Sequence, residues 1–156
     1  MTATVRRLNH AVLYVREARR AAAFYEDALG FEVVADYGDG AAVFLRAAAT
    51  ENHHDLGLFS LGPQAPLPEP GRVGLYHLAW QVETIHDLAE IRERLVRLKS
   101  LAGESDHGVT KSLYAKDPDG NEFEVMWMVP REQWGAMEHE AITKRLDLPA
   151  ELAQHG

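Results

Sequence analysis

Three residues of this sequence have the types and the placing to hold a metal ion: His10, His77 and Glu124. Glu124 stands in Glu122-Phe123-Glu124-Val125-Met126-Trp127. In a strand, Phe123, Val125 and Trp127 take one face of that run, and Glu122, Glu124 and Met126 take the other. A carboxylate set into an apolar strand needs a partner, because burying an unpaired charge is costly. His10 and His77 stand in Asn9-His10-Ala11-Val12 and Tyr76-His77-Leu78-Ala79, at matching places in two similar stretches. Cysteine is absent, so a metal must take His and carboxylate ligands. Two imidazoles and one carboxylate on one side of a metal, with open positions opposite, is the donor set of non-haem Fe(II) oxygenases, in which substrate and O2 bind together.

The elements that must position these residues are legible along the chain. Leu8 to Val15 alternates as a strand, with His10, Val12 and Tyr14 on one face. Arg16 to Leu29 carries Ala21, Phe24, Tyr25 and Ala28 at helical spacing, and Gly30 is a C-terminal stop. Strands are expected at Phe31 to Tyr37, Ala41 to Ala47 and Asp55 to Leu61, with a turn at Gly38-Asp39-Gly40. Residues 62–72 hold Pro63, Pro66, Pro68 and Pro70 and read as a linker. The order then repeats. Gly74 to Val82 is a strand, and Thr84 with Asp87 suggests a capping box. Leu88, Ile91, Leu95 and Leu98 form a helical stripe. Ala102 to His107 reads as a loop, and Lys111 to Lys116 and Glu122 to Val129 as strands joined by the tight turn Asp117-Pro118-Asp119-Gly120-Asn121. Beyond Pro130, Glu132 to Leu146 is expected to be helical and Asp147 onward a polar tail.

Composition narrows the function classes. The chain has 156 residues, 46% hydrophobic and 26% charged, with a net charge of −8. That suits a globular domain with a core and disfavours nucleic acid as the partner. The first residues lack the apolar core of a signal peptide, and no run approaches transmembrane length, so no membrane partner and a cytoplasmic location are the expectation.

The two repeated units, the segment Ala23-Phe24-Tyr25-Glu26-Asp27-Ala28-Leu29-Gly30-Phe31, and the 117–121 turn followed by Glu124 resemble the vicinal oxygen chelate superfamily. That superfamily includes glyoxalase I, bleomycin- and fosfomycin-resistance proteins and type I extradiol dioxygenases. The resemblance covers roughly Leu8 to Val129. It implies an α+β fold of two paired βαβββ modules, 8–61 and 73–129, forming a half-open cup around a metal as one domain, with a C-terminal helix and tail over 130–156. The finer likeness is to catechol 2,3-dioxygenase-like enzymes. Their His, His, Glu ligand set matches His10, His77 and Glu124. Their accessory residues match His54 in His53-His54-Asp55-Leu56, His107 in Ser105-Asp106-His107-Gly108, and Tyr114. Many such enzymes carry four units; this chain has two and resembles the shorter members, which implies a homodimer with the C-terminal segment at or near the interface.

The implied reaction is extradiol cleavage of a catechol-type aromatic diol by O2 at Fe(II), with Mn(II) as the alternative metal. By the same likeness, His54 serves acid-base chemistry near O2, Tyr114 hydrogen-bonds the substrate oxygen, and His107 takes or orients a hydroxyl proton. Two other classes stand beside it: a glyoxalase-like lyase or isomerase, and a drug-binding module without catalysis. Glyoxalase-like relatives usually carry a second Glu or Gln as a further ligand. His53, His86, His139 and His155 read as loop, helix-surface or tail residues, Trp80 and Trp127 as core under a helix, and Glu122 as a solvent residue at the turn.

Overall fold

The computed structural model describes residues 2–156. The chain separates into two compact units, one running to Leu67 and the other from Pro68, so the division falls inside the expected Pro-rich linker.

The first unit holds β1 (Ala11–Val15), α1 (Ala18–Leu29), β2 (Phe31–Tyr37), β3 (Ala42–Ala47) and β4 (Leu56–Ser60). Its sheet has the order β1-β4-β3-β2, with β1 parallel to β4 and the other pairs antiparallel. The helix lies on the sheet through small side chains: Ala18, Ala21, Ala22 and Ala28 are all buried, with Tyr25 between them. They close over Val43, Leu45, Leu56 and Leu58. Gly30 ends the helix at φ 69°, a left-handed conformation that costs glycine little. The opposite sheet face leaves Val12, Tyr14, Tyr37 and Phe59 exposed.

The second unit repeats this order as β5 (Leu78–Val82), α2 (Ile85–Arg97), β6 (Leu101–Asp106), β7 (Thr110–Lys116) and β8 (Glu122–Met128). Its sheet runs β5-β8-β7-β6, again with one parallel pair. Both second strands carry a bulge, between Val33 and Ala35 and between Leu101 and Gly103. The capping box of α2 forms as expected: the Thr84 side chain accepts from the Asp87 N–H, and Asp87 accepts from the Thr84 N–H. Ile85, Leu88, Ile91 and Leu95 then pack with Leu113, Phe123, Val125 and Trp127.

Four expectations are corrected. Ala102 to His107 is largely a strand, β6, paired with β7. Its sequence lacks apolar alternation because it lies at the sheet edge, where backbone pairing and not side-chain burial defines it. Glu132 to Leu146 is not a helix. Short 3-10 turns at Arg131–Gln133 and Gly135–His139 are followed by an irregular strap, with Gly135 at φ 50° interrupting any helix. The C-terminal helix is instead α3 (Leu148–His155), in the expected tail. Asp147 caps it by accepting from the Ala150 N–H, and Pro149 sits in the first turn, where no N–H is needed. His155 is therefore no free tail residue; its ring centroid lies 5.1 Å from that of Trp127. Finally, β1 and β5 start at Ala11 and Leu78, later than the expected Leu8 and Gly74, so His10 and His77 each stand one residue before a first strand.

Candidate functional site

In the second unit β7 and β8 pair with Tyr114 opposite Glu124. The apolar residues Phe123, Val125 and Trp127 turn to the helices, so Glu122 and Glu124 emerge on the other face, half-buried. His77 reaches the same place from the residue before β5. Its Nε2 lies 3.1 Å from Glu124 Oε2. Its Nδ1 is buried without a hydrogen bond, and Glu122 Oε1 is 3.8 Å away. Glu122 is thus beside His77 and not a solvent residue.

Tyr114 completes this cluster. Its ring centroid is 5.7 Å from that of His77, and its hydroxyl is 2.9 Å from His107 Nε2. Burial, with the Glu124 charge beside it, pushes the Tyr114 hydroxyl above its ordinary range, so it stays protonated and available as a donor. Four residues singled out from the sequence, His77, His107, Tyr114 and Glu124, therefore gather in one unit.

The first unit brings together His10 and His54, whose ring centroids are 4.5 Å apart. His10 Nδ1 is bonded to Asn9 Oδ1 at 2.9 Å, and His54 Nδ1 lies 3.0 Å from His53 Nδ1. Phe44 stands against His54 with ring centroids 5.0 Å apart. Burial, then the neighbouring His10 and His53, pushes the His54 imidazole below its ordinary range, which keeps it neutral. The segment carrying His54 is fixed by Asp55, which accepts from the Ala47 N–H, Thr50 Oγ1 and Asn52 Nδ2. Those bonds outweigh its burial and hold its carboxyl below the usual range.

The two sheets can be laid on each other by register. Ala11 pairs with Leu56 as Leu78 pairs with Phe123, so Gly57 is the counterpart of Glu124. Phe44 pairs with Gly57 as Tyr114 pairs with Glu124, so Phe44 is the counterpart of Tyr114. The first module thus has no carboxylate where the second has its ligand candidate. A side chain there would meet the Phe44 ring at 3.4 Å and Val12 at 3.5 Å. Gly57 was not singled out from the sequence; only the strand register identifies it, because no local motif marks the position.

The donors fit a divalent metal in part. Ligand atoms on bonds of about 2.1 Å at right angles lie ~3.0 Å apart, and His77 Nε2 and Glu124 Oε2 have that separation. Among the described residues, no three His, Asp or Glu side chains are drawn together as a ready metal cluster. An open cleft of about 910 Å³ in the second unit, lined by Arg92, Glu104, Leu101, Arg145, Leu148 and Leu152 among others, includes none of the site residues, and its Arg92 is engaged by Glu104.

Comparison with known proteins gives three results. The model of the Glyoxalase/Bleomycin resistance protein/Dioxygenase superfamily matches residues 7–125. Biphenyl-2,3-diol 1,2-dioxygenase 3 of Rhodococcus globerulus is 37% identical over 92% of this chain and 75% of its own length. Catechol-2,3-dioxygenase of Bacillus subtilis (strain 168) is 30% identical over 81% of this chain but only 43% of its own. A solved glyoxylase/bleomycin resistance protein/dioxygenase domain from Frankia sp. EAN1pec superposes with a TM-score of 0.67 at 22% identity, covering 81% of this chain and all of that one, a likeness of fold.

Proposed function

The chain belongs to the glyoxalase/bleomycin resistance protein/dioxygenase superfamily, and within it we propose that it is an extradiol dioxygenase that opens a catechol-type aromatic diol with O2. The observation that carries this reading is the asymmetry of the repeat. One module offers His77 and Glu124, and the other offers His10 with Gly57 in place of a second carboxylate. A set of two imidazoles and one carboxylate leaves several metal positions free, which a two-oxygen substrate and O2 together require. A four-ligand set of the lyase kind would need a donor where Gly57 and Phe44 stand.

In this reading His10, His77 and Glu124 hold Fe(II). The iron, when bound, supplies a common seat for the diol and O2 and a path for electrons between them. Neutral imidazoles and one carboxylate leave the site with net positive charge, which favours an ionised diol. Tyr114 hydrogen-bonds the diol oxygen. His54, kept neutral by its surroundings, accepts and returns a proton on the oxygen side. His107 takes its place behind Tyr114. The open sheet edges of a two-module fold support assembly as a homodimer, with the C-terminal segment at or near the interface.

The test is a panel of catechols offered to protein loaded anaerobically with Fe(II), followed by O2 uptake and the yellow ring-opened product. Uptake of O2 with ring opening is the expected result. A metal-loaded protein that opens no catechol would be a lyase-type relative instead.

A further inference from the structure

The strap between β8 and α3 reaches back to the candidate site. Lys144 and Asp106 form an isolated antiparallel bridge: each N–H donates to the other's carbonyl at 2.9 Å. This bridge sets Ile142 beside His107, whose Nδ1 lies 2.9 Å from the Ile142 carbonyl oxygen. Gly108 makes the approach possible. A side chain there would meet Ile142 Cδ1 at 2.9 Å and Met137 Sδ at 3.3 Å, and its φ of 76° suits glycine.

A carbonyl oxygen can only accept, so its 2.9 Å contact favours a hydrogen on Nδ1 of His107, over the longer 3.4 Å contact of the Thr143 hydroxyl with the same nitrogen. In the neutral ring Nε2 is then bare. Nε2 faces the Tyr114 hydroxyl at 2.9 Å, so Tyr114 donates to His107. With its proton turned to His107, the Tyr114 oxygen presents lone pairs to whatever stands before it.

We propose that the strap is a positioning element of the reaction: the Ile142 carbonyl fixes the His107 tautomer, and through it makes Tyr114 an acceptor for the hydroxyl proton of the bound diol. This rests on the dioxygenase reading above. The proton balance closes within the chain. The diol O–H bond breaks and its proton goes to Tyr114 Oη; the original Tyr114 proton goes to His107 Nε2. His107 becomes an imidazolium whose Nδ1–H still donates to Ile142. Were the other tautomer present, Nε2–H would donate to Tyr114, and the Tyr114 proton would have no acceptor in His107, so the transfer could not run.

The tautomer is measurable without turnover. Ring-nitrogen NMR on the metal-free full chain with labelled histidine should show His107 protonated at Nδ1 and bare at Nε2. Lys144→Pro removes the N–H that donates to Asp106 and leaves every site side chain in place. It should mix the two His107 tautomers and lower kcat on catechol by roughly 10–100-fold, the usual cost of losing a group that orients another. Lys144→Ala keeps the backbone bridge and should keep the Nδ1–H tautomer. A His107 protonated at Nε2 in the unaltered protein would overturn the inference. So would a Lys144→Pro protein with mixed tautomers and undiminished kcat. The spectrum of the unaltered chain decides the tautomer even if Lys144→Pro does not fold. Because that spectrum needs no substrate, failure of the tautomer and failure of the dioxygenase reading are told apart.

Discussion

His77 Nε2 and Glu124 Oε2 stand 3.1 Å apart on one face of the second sheet. The relationship follows from strand geometry: β8 turns three large apolar residues to the helices, and β5 lies parallel to it with Leu78 opposite Phe123. The purified protein should bind about one divalent metal per chain. His10→Ala, His77→Ala and Glu124→Ala should each remove most of it. Elemental analysis with full occupancy in all three variants would end the three-ligand assignment.

His54→Ala should keep the metal and still take up catechol, since neither needs its imidazole. Turnover should drop by about 10²–10⁴, the range for a general acid-base group, with little change in substrate affinity. Anaerobic catechol titration followed by O2 uptake measures both. Wild-type turnover in this variant would withdraw the role.

Tyr114→Phe removes the hydroxyl that takes the diol proton, so kcat should fall by about 10²-fold or more, and KM should rise as well because a hydrogen bond to bound substrate exists before the transition state. Steady-state kinetics at saturating O2 separates the two parameters. An unchanged kcat and KM would place Tyr114 outside the reaction.

Lys111 is buried between Asp106 Oδ1 at 2.7 Å and Glu151 Oε1 at 3.1 Å, tying α3 to the sheet. Removing one partner of a buried pair strands the others, so Lys111→Met should cost roughly 3 kcal/mol. Burial alone would raise the Asp106 carboxyl, but the bonds from Lys111 and the Gly108 N–H hold it below the usual range. A depressed carboxyl stabilises the fold above its unfolded pKa of about 3.9 and loses that contribution as pH falls through the folded value. The wild-type advantage over Lys111→Met should therefore be largest above about pH 4 and shrink below it. Thermal unfolding across that range is the check; a difference that grew on acidification would reverse the sign.

Light scattering at high concentration should give a homodimer. A strictly monomeric sample would remove that expectation.

The sequence by itself determined the module order, the α2 capping box, the 117–121 turn and the alternation that sends Glu124 away from the helices. These are local: they depend on the period of the chain and on residues a few places apart. It also singled out His10, His54, His77, His107, Tyr114 and Glu124 through likeness to a family. The region after Pro130 misled it, since a run with helical composition lies as a strap held by Lys144 and Asp106, and the capped helix starts at Asp147. Only the tertiary structure decided which residues meet. Strand register made Gly57 and Phe44 the counterparts of Glu124 and Tyr114. A backbone carbonyl 35 residues from His107 lies 2.9 Å from its Nδ1. Pairings between distant segments depend on how sheets align and where a strap closes, and no local pattern encodes them.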